Sequence, residues 1–137
     1  MIKRLHHVAI AVNNLEEGVS LYERLLGVKP ASIEGIPGQG VRVAVFKVGG
    51  EAEIELLQPI GPDSPVAKFL ASRGQGIHHI CFEVDDIDRE LEAMAARGFE
   101  LIDKVGREGV AGRVGFLHPR TVGGVLIELV QVAGEGE

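Results

Sequence analysis

One short pattern returns in this chain and constrains its fold more than any other feature. Ile54-Glu55-Leu56-Leu57-Gln58 recurs as Ile127-Glu128-Leu129-Val130-Gln131. A second pair repeats in step: Leu5-His6-His7-Val8-Ala9 precedes the first copy, and Ile77-His78-His79-Ile80-Cys81 the second. From His7 to Glu55 is 48 residues, and from His79 to Glu128 is 49. Two histidines and two glutamates thus hold matching places in two copies of one module. Copies packed with pseudo-twofold symmetry would bring the four side chains to one point. Imidazole nitrogen and carboxylate oxygen together suit a borderline or hard divalent cation.

Between the repeated segments the two halves read alike. Residues 5–12 alternate, with His6, Val8, Ile10 and Val12 on one face and His7, Ala9 and Ala11 on the other, which is a strand pattern. Asn13 or Asn14 can cap a helix over 15–26, whose apolar stripe is Val19, Tyr22, Leu25 and Leu26 and whose stop is Gly27. Strands are expected over 29–33, 41–48 and 53–59. The pattern restarts with a strand over 77–84, a helix over 87–97 capped by Asp85-Asp86, and strands over 100–105, 112–117 and 125–132. Each module therefore reads β-α-β-β-β. The modules span residues 1–60 and 77–133. Between them a linker, 61–76, carries a short helix from Pro65 to about Ser72, capped by Asp63 or Ser64. The expected fold class is α+β: two paired βαβββ modules in one compact domain, forming a cupped mixed sheet around a metal site. The tail from Gly134 reads as frayed.

Composition excludes several function classes. The 137 residues carry a net charge of −6, which argues against a phosphate backbone as partner. Cys81 is the only cysteine, so no intrachain disulfide can form, and its apolar surroundings mark a buried thiol. The N-terminal segment enters a strand directly, with no long apolar leader, and no apolar run approaches the roughly 20 residues of a membrane helix. The expectation is a soluble cytoplasmic protein with no nucleic-acid or membrane partner. Edge strands in each module leave room for pairing, and a homodimer is the expected assembly.

Strand alternation separates the adjacent histidines. The bulky face of His6, Val8, Ile10 and Val12 should pack under the module's helix. The small face of His7, Ala9 and Ala11 should stay open to a ligand, as should that of His79, Cys81 and Glu83. His7 and His79 are therefore the candidate ligands, and His6 and His78 are structural. Glu55 lies between Ile54 and Leu56, and Glu128 between Ile127 and Leu129. A carboxylate in so apolar a strand needs a partner, and a metal supplies one.

These residues resemble the vicinal oxygen chelate superfamily. Within it, the chain is similar to the methylmalonyl-CoA epimerase family over about residues 4–132. The resemblance rests on residues 5–12, Gln39-Gly40-Val41, Glu55-Leu56-Leu57-Gln58-Pro59, residues 63–70, residues 76–81, and Phe116-Leu117-His118-Pro119 followed by residues 124–129. The linker helix and the Phe-Leu-His-Pro run are its more specific parts. It implies a divalent ion (Co2+, Mg2+, Mn2+, Ni2+ or Zn2+) held by His7, Glu55, His79 and Glu128. Some epimerases have Gln where Glu55 stands. Some also have Glu, as a proposed base, where this chain has Val43.

The implied activity interconverts the (R) and (S) forms of methylmalonyl-CoA by α-proton abstraction through a metal-stabilised enolate. Inversion needs a base on each face of the planar intermediate, or one mobile base with water, and Glu128 and then Glu55 are the candidates. The implied partner is an acyl-CoA, and Arg42, Lys68, Arg113 and Arg120 are candidates by charge for its phosphates. No P-loop or dinucleotide fingerprint is present. The alternatives are a metal-dependent glyoxalase (lactoylglutathione lyase) using the same four residues, and a non-catalytic small-molecule-binding protein on the same fold. A ring-cleaving dioxygenase fits less well, since it uses a two-His, one-carboxylate triad.

Overall fold

The structure, a computed structural model, describes residues 1–133. The tail expected to fray from Gly134 lies outside the described residues. The elements run β1 (Ile2–Ala11), α1 (Leu15–Leu26), β2 (Ser32–Ile36), β3 (Val41–Lys47), β4 (Glu53–Pro59), α2 (Pro65–Arg73), β5 (Gly76–Val84), α3 (Ile87–Ala96), β6 (Arg107–Glu108), β7 (Gly112–Leu117) and β8 (Leu126–Val132). The fold is α+β, with the βαβββ order in each copy. The contacts divide the chain into residues 7–78 and residues 1–6 with those from 79 onward, so β1 crosses from one unit to the other after His6. Among the described residues no helix is long and apolar enough to cross a membrane.

In the unit of residues 7–78 the strand order is β2-β3-β4-β1. β1 and β4 are parallel, with Ala9 opposite Glu55, and β3 is antiparallel to both of its neighbours. A parallel pair needs a long crossover, and α1 provides its helix. Asn14 caps α1 by accepting the Glu17 N–H at 2.9 Å. Gly27 ends it in the left-handed region at φ 74°, where a Cβ would be strained. Leu15, Val19, Tyr22 and Leu26 pack onto Phe46, Leu56, Ile10 and Val12. The bulky face of β1 thus lies under the helix, as its alternation implies. Burying a leucine such as Leu56, 0% exposed, stabilises by about 1.5–3 kcal/mol.

The other unit repeats this plan in the order β5-β8-β7-β6. β5 and β8 are parallel, with Cys81 opposite Glu128. Asp86 caps α3, whose Ile87, Leu91 and Met94 pack onto Val84, Leu117, Ile127 and Leu129. Gly115 lets α3 approach closely, since a Cβ there would lie 2.8 Å from the Leu91 side chain. Ala44 holds the matching place on β3, opposite Leu56, and is fully buried.

Three expectations are corrected. The second strand is Ser32–Ile36 rather than 29–33. Pro30 has no N–H to donate, and Ala31 makes the first cross-strand bond, to the Val45 carbonyl at 2.7 Å. Residues 100–105 form no strand; they contribute one isolated bridge, Leu101 to Leu117, and the two-residue β6 comes later. There the Asp103 side chain takes the place of a backbone acceptor. Its Oδ2 accepts the Phe116 N–H at 2.8 Å, while the Phe116 carbonyl accepts from both Ile102 and Asp103. A side chain that satisfies the neighbouring backbone ends the ladder. Finally, the small faces are not open beyond the histidines. Ala9 and Ala11 are 0% exposed, covered by Val66, Phe69 and Leu70 of α2. Cys81 is fully buried with Val114 and Val130, and Glu83 is buried against Lys3 and Arg4.

Each module also carries a lock that alternation does not reveal. Three residues past the glutamate, Gln58 Oε1 accepts the N–H of Leu15, the first residue of α1, at 2.7 Å. Gln131 Oε1 accepts the N–H of Ile87, the first residue of α3, at 2.9 Å. The repeated glutamine thus ties each glutamate-bearing strand to the start of its own helix, satisfying an N–H that the helix leaves open. Gln58→Ala and Gln131→Ala should each lower stability by about 1 kcal/mol, read as a lower urea midpoint with an unchanged slope. Wild-type midpoints would show that these bonds contribute nothing.

Candidate metal centre and active site

The two units each bring one of the repeated histidines to its glutamate. On the parallel strands β1 and β4, Glu55 sits opposite Ala9, and His7 lies two residues earlier on the same face. His7 Nδ1 is 3.4 Å from Glu55 Oε2. On β5 and β8 the same offset recurs, with Glu128 opposite Cys81 and His79 two residues earlier. His79 Nε2 is 3.0 Å from Glu128 Oε1. In both units the residue directly opposite the glutamate is small, so the longer diagonal partner can reach it. His7 and His79 are 7% and 8% exposed, and the glutamate side chains are 18% and 13% exposed.

The surroundings of the two pairs differ. Phe116 lies opposite Glu128 across β7–β8, and its ring meets that of His79 edge-on, with centroids 6.0 Å apart at 82°. The matching place beside Glu55 holds Val45. His78 packs edge-on against Phe69 of α2, at 5.1 Å. His6 is half-buried. Val43, which stands where some relatives have Glu, is a core residue at 7% exposure, opposite Leu57 and packed with Ala9 and Ala11. Cys81 is a buried thiol.

The cationic candidates for a CoA partner are mostly engaged elsewhere. Arg42 on β3 pairs with Glu16 in the first turn of α1 at 2.8 Å. Arg113 on β7 pairs with Asp88 in the first turn of α3 at 3.0 Å and donates to the Gly106 carbonyl at 2.7 Å. These two ion pairs mirror each other, since Arg42 faces Gln58 and Arg113 faces Gln131 across the strands. Arg120 pairs with Glu100 at 3.0 Å. Lys68 is exposed on α2. Hydrogen bonds from Arg42 hold the Glu16 carboxyl below its ordinary value, and that contact raises Arg42. The Gly106 N–H, and then Arg113, hold the Asp88 carboxyl low.

Comparison with known proteins bears on both units together. Residues 6–116 match the model of the Glyoxalase/Bleomycin resistance protein/Dioxygenase superfamily. The mitochondrial methylmalonyl-CoA epimerase of Homo sapiens is 42% identical over 130 residues, 93% of this chain and 73% of that protein. The ethylmalonyl-CoA/methylmalonyl-CoA epimerase of Cereibacter sphaeroides is 41% identical over 137 residues, 96% of this chain and all of that protein. Among solved structures, a methylmalonyl-CoA epimerase in complex with methylmalonyl-CoA and NH4+ superposes with a TM-score of 0.86 at 35% identity, covering 98% of this chain and 97% of that one.

The mirrored ion pairs set an acid limit. Asp88 titrates below its ordinary value of 3.8, so its contribution is complete above that value and is lost as pH falls through the lower native one. Asp88→Asn should therefore be less stable than wild type at neutral pH, with a shallower loss as the pH falls below that ordinary value. Parallel stability curves for the two proteins, from urea unfolding across that range, would contradict this.

Proposed function

Because the chain belongs to the Glyoxalase/Bleomycin resistance protein/Dioxygenase superfamily, we propose that it is a metal-dependent epimerase that inverts the α-carbon of methylmalonyl-CoA. One observation carries this reading. A buried histidine meets a glutamate at the same register in both copies of the module, in a chain whose epimerase relatives match it over both.

The donor set fits a divalent cation. Two imidazoles and two carboxylates offer nitrogen and oxygen ligands with two negative charges. Each glutamate lies on a strand whose flanking residues pack into an apolar core, where a carboxylate needs a partner. His7, Glu55, His79 and Glu128 would hold one ion of the Co2+, Mg2+, Mn2+, Ni2+ or Zn2+ class. When bound, that ion supplies Lewis-acid stabilisation of the negative charge that develops on a thioester oxygen.

The remaining chemistry belongs to the chain. The α-carbon lies between a thioester and a carboxylate, and losing its proton leaves a planar enolate. Glu128 takes that proton. In support, its carboxylate is still 13% exposed, and His79 orients it from 3.0 Å. Inversion requires a proton to return on the opposite face: Glu55, having taken up a proton from solvent, delivers it, and Glu128 returns to solvent the one it took. With a valine at position 43, the carboxylate that some relatives carry there has no part in this chain's reaction. Of the four candidate cations for the CoA phosphates, Lys68 is the one exposed without an ion pair among the described residues.

Glu128→Gln keeps the size of the side chain and removes its basicity. It should lower kcat by about 10²–10⁴-fold in an epimerisation assay with Co2+ present. Chelated wild-type protein should lose turnover and regain it with added Co2+. A Glu128→Gln variant with wild-type kcat, or full turnover after chelation, would overturn the proposal.

A further inference from the structure

Phe116 opens the Phe116-Leu117-His118-Pro119 run, and the reaction above makes no use of it. Its position is nevertheless tightly specified. The ring meets the His79 imidazole edge-on at 6.0 Å, and the Arg107 guanidinium lies over the same ring, 5.4 Å from its centroid. Asp103 grips both partners of that stack. Its Oδ1 accepts Arg107 Nε at 3.0 Å, and its Oδ2 accepts the Phe116 N–H at 2.8 Å. The Asp103 side chain is 15% exposed and that of Arg107 is 56% exposed, so the stack leads from the surface to the histidine. The other module has Val45 at the place of Phe116, so a ring at this place belongs to one histidine only.

We propose that Phe116 is a positioning residue for His79, and that Asp103 and Arg107 hold Phe116 in place. An imidazole can turn about two side-chain torsions, and a ligand must present one nitrogen in one direction. An edge-to-face neighbour has a preferred geometry, and one with a cation on its ring and its backbone N–H bound by a carboxylate is held in place. The segment from Asp103 to Arg107 therefore governs the orientation of His79 through the Phe116 ring. The functional consequence rests on the reading of His79 as a metal ligand; the bracing itself does not.

The test uses two readouts on the full chain. In metal-free protein, the His79 ring-proton resonance is identified by its loss in His79→Asn. In Phe116→Leu it should shift, as the ring current is lost, and broaden as the imidazole samples several orientations. In Asp103→Asn it should broaden while the protein stays folded. Phe116→Tyr should restore the wild-type line. By chelator competition, Co2+ affinity should fall about tenfold in Phe116→Leu, the lower end of what losing an orienting neighbour costs a metal site, and return in Phe116→Tyr. A sharp, unshifted His79 line in both Phe116→Leu and Asp103→Asn would overturn the proposal. Wild-type Co2+ affinity in His79→Asn would instead overturn the ligand reading, and the resonance would still decide the bracing.

Discussion

The parallel pairing of the first and last strands of each module is the constraint on which the site depends. It makes neighbours of residues nearly fifty positions apart in sequence, His7 with Glu55 and His79 with Glu128. A parallel pair forms only through a long crossover, so the helix and the two intervening strands of each module serve that pairing. A register slip of one residue would turn each glutamate to the opposite face, under the helix, where Leu56 and Leu129 now sit. The glutamine three residues on faces that helix and binds its first N–H. Register, helix seat and the His–Glu contact are therefore one interlocked arrangement, made twice.

The copies agree at the pair and diverge around it. Beneath His7, the small face is closed by α2, which has no counterpart among the described residues of the other module. Beneath His79, the same face carries Cys81 and Glu83, and Glu83 is met by Lys3 and Arg4 from the start of β1. The two modules thus close the corresponding faces differently, one under apolar residues of α2 and one with Cys81 among Val114 and Val130 and Glu83 ion-paired. The divergence reaches the ligands as well. Phe116 stands beside Glu128 where Val45 stands beside Glu55, so the two histidines are held by different neighbours.

Much of this was legible in the sequence, for local reasons. The helices α1 and α3 are bounded by signals that act within a few residues, Asn14 and Gly27 in one and Asp86 and Gly98 in the other. The His–Glu spacing gave each pair because a duplicated pattern repeats whatever geometry it builds. What escaped the sequence depends on contacts between distant elements. Period-two alternation gave the faces of β1 but not what covers them, and Ala9 and Ala11 look open until α2 is seen over them. Asp103 looks like one more strand residue until its side chain is found on the Phe116 backbone. Arg42 and Arg113 look like free cations, yet each reaches an acidic residue in the first turn of the helix beneath. Gln58 and Gln131 were visible as a repeat without an assigned role, because their partners are backbone groups some forty residues away.

The two His–Glu pairs are proposed to support proton exchange at a carbon beside a thioester. The most direct measurement is deuterium incorporation at the α-carbon of methylmalonyl-CoA in deuterated water, on metal-free protein and after adding Co2+ or Mg2+. Incorporation should depend on the ion and be accompanied by loss of stereochemical purity. No exchange with any divalent ion, or exchange that is equally fast without one, would contradict that proposal.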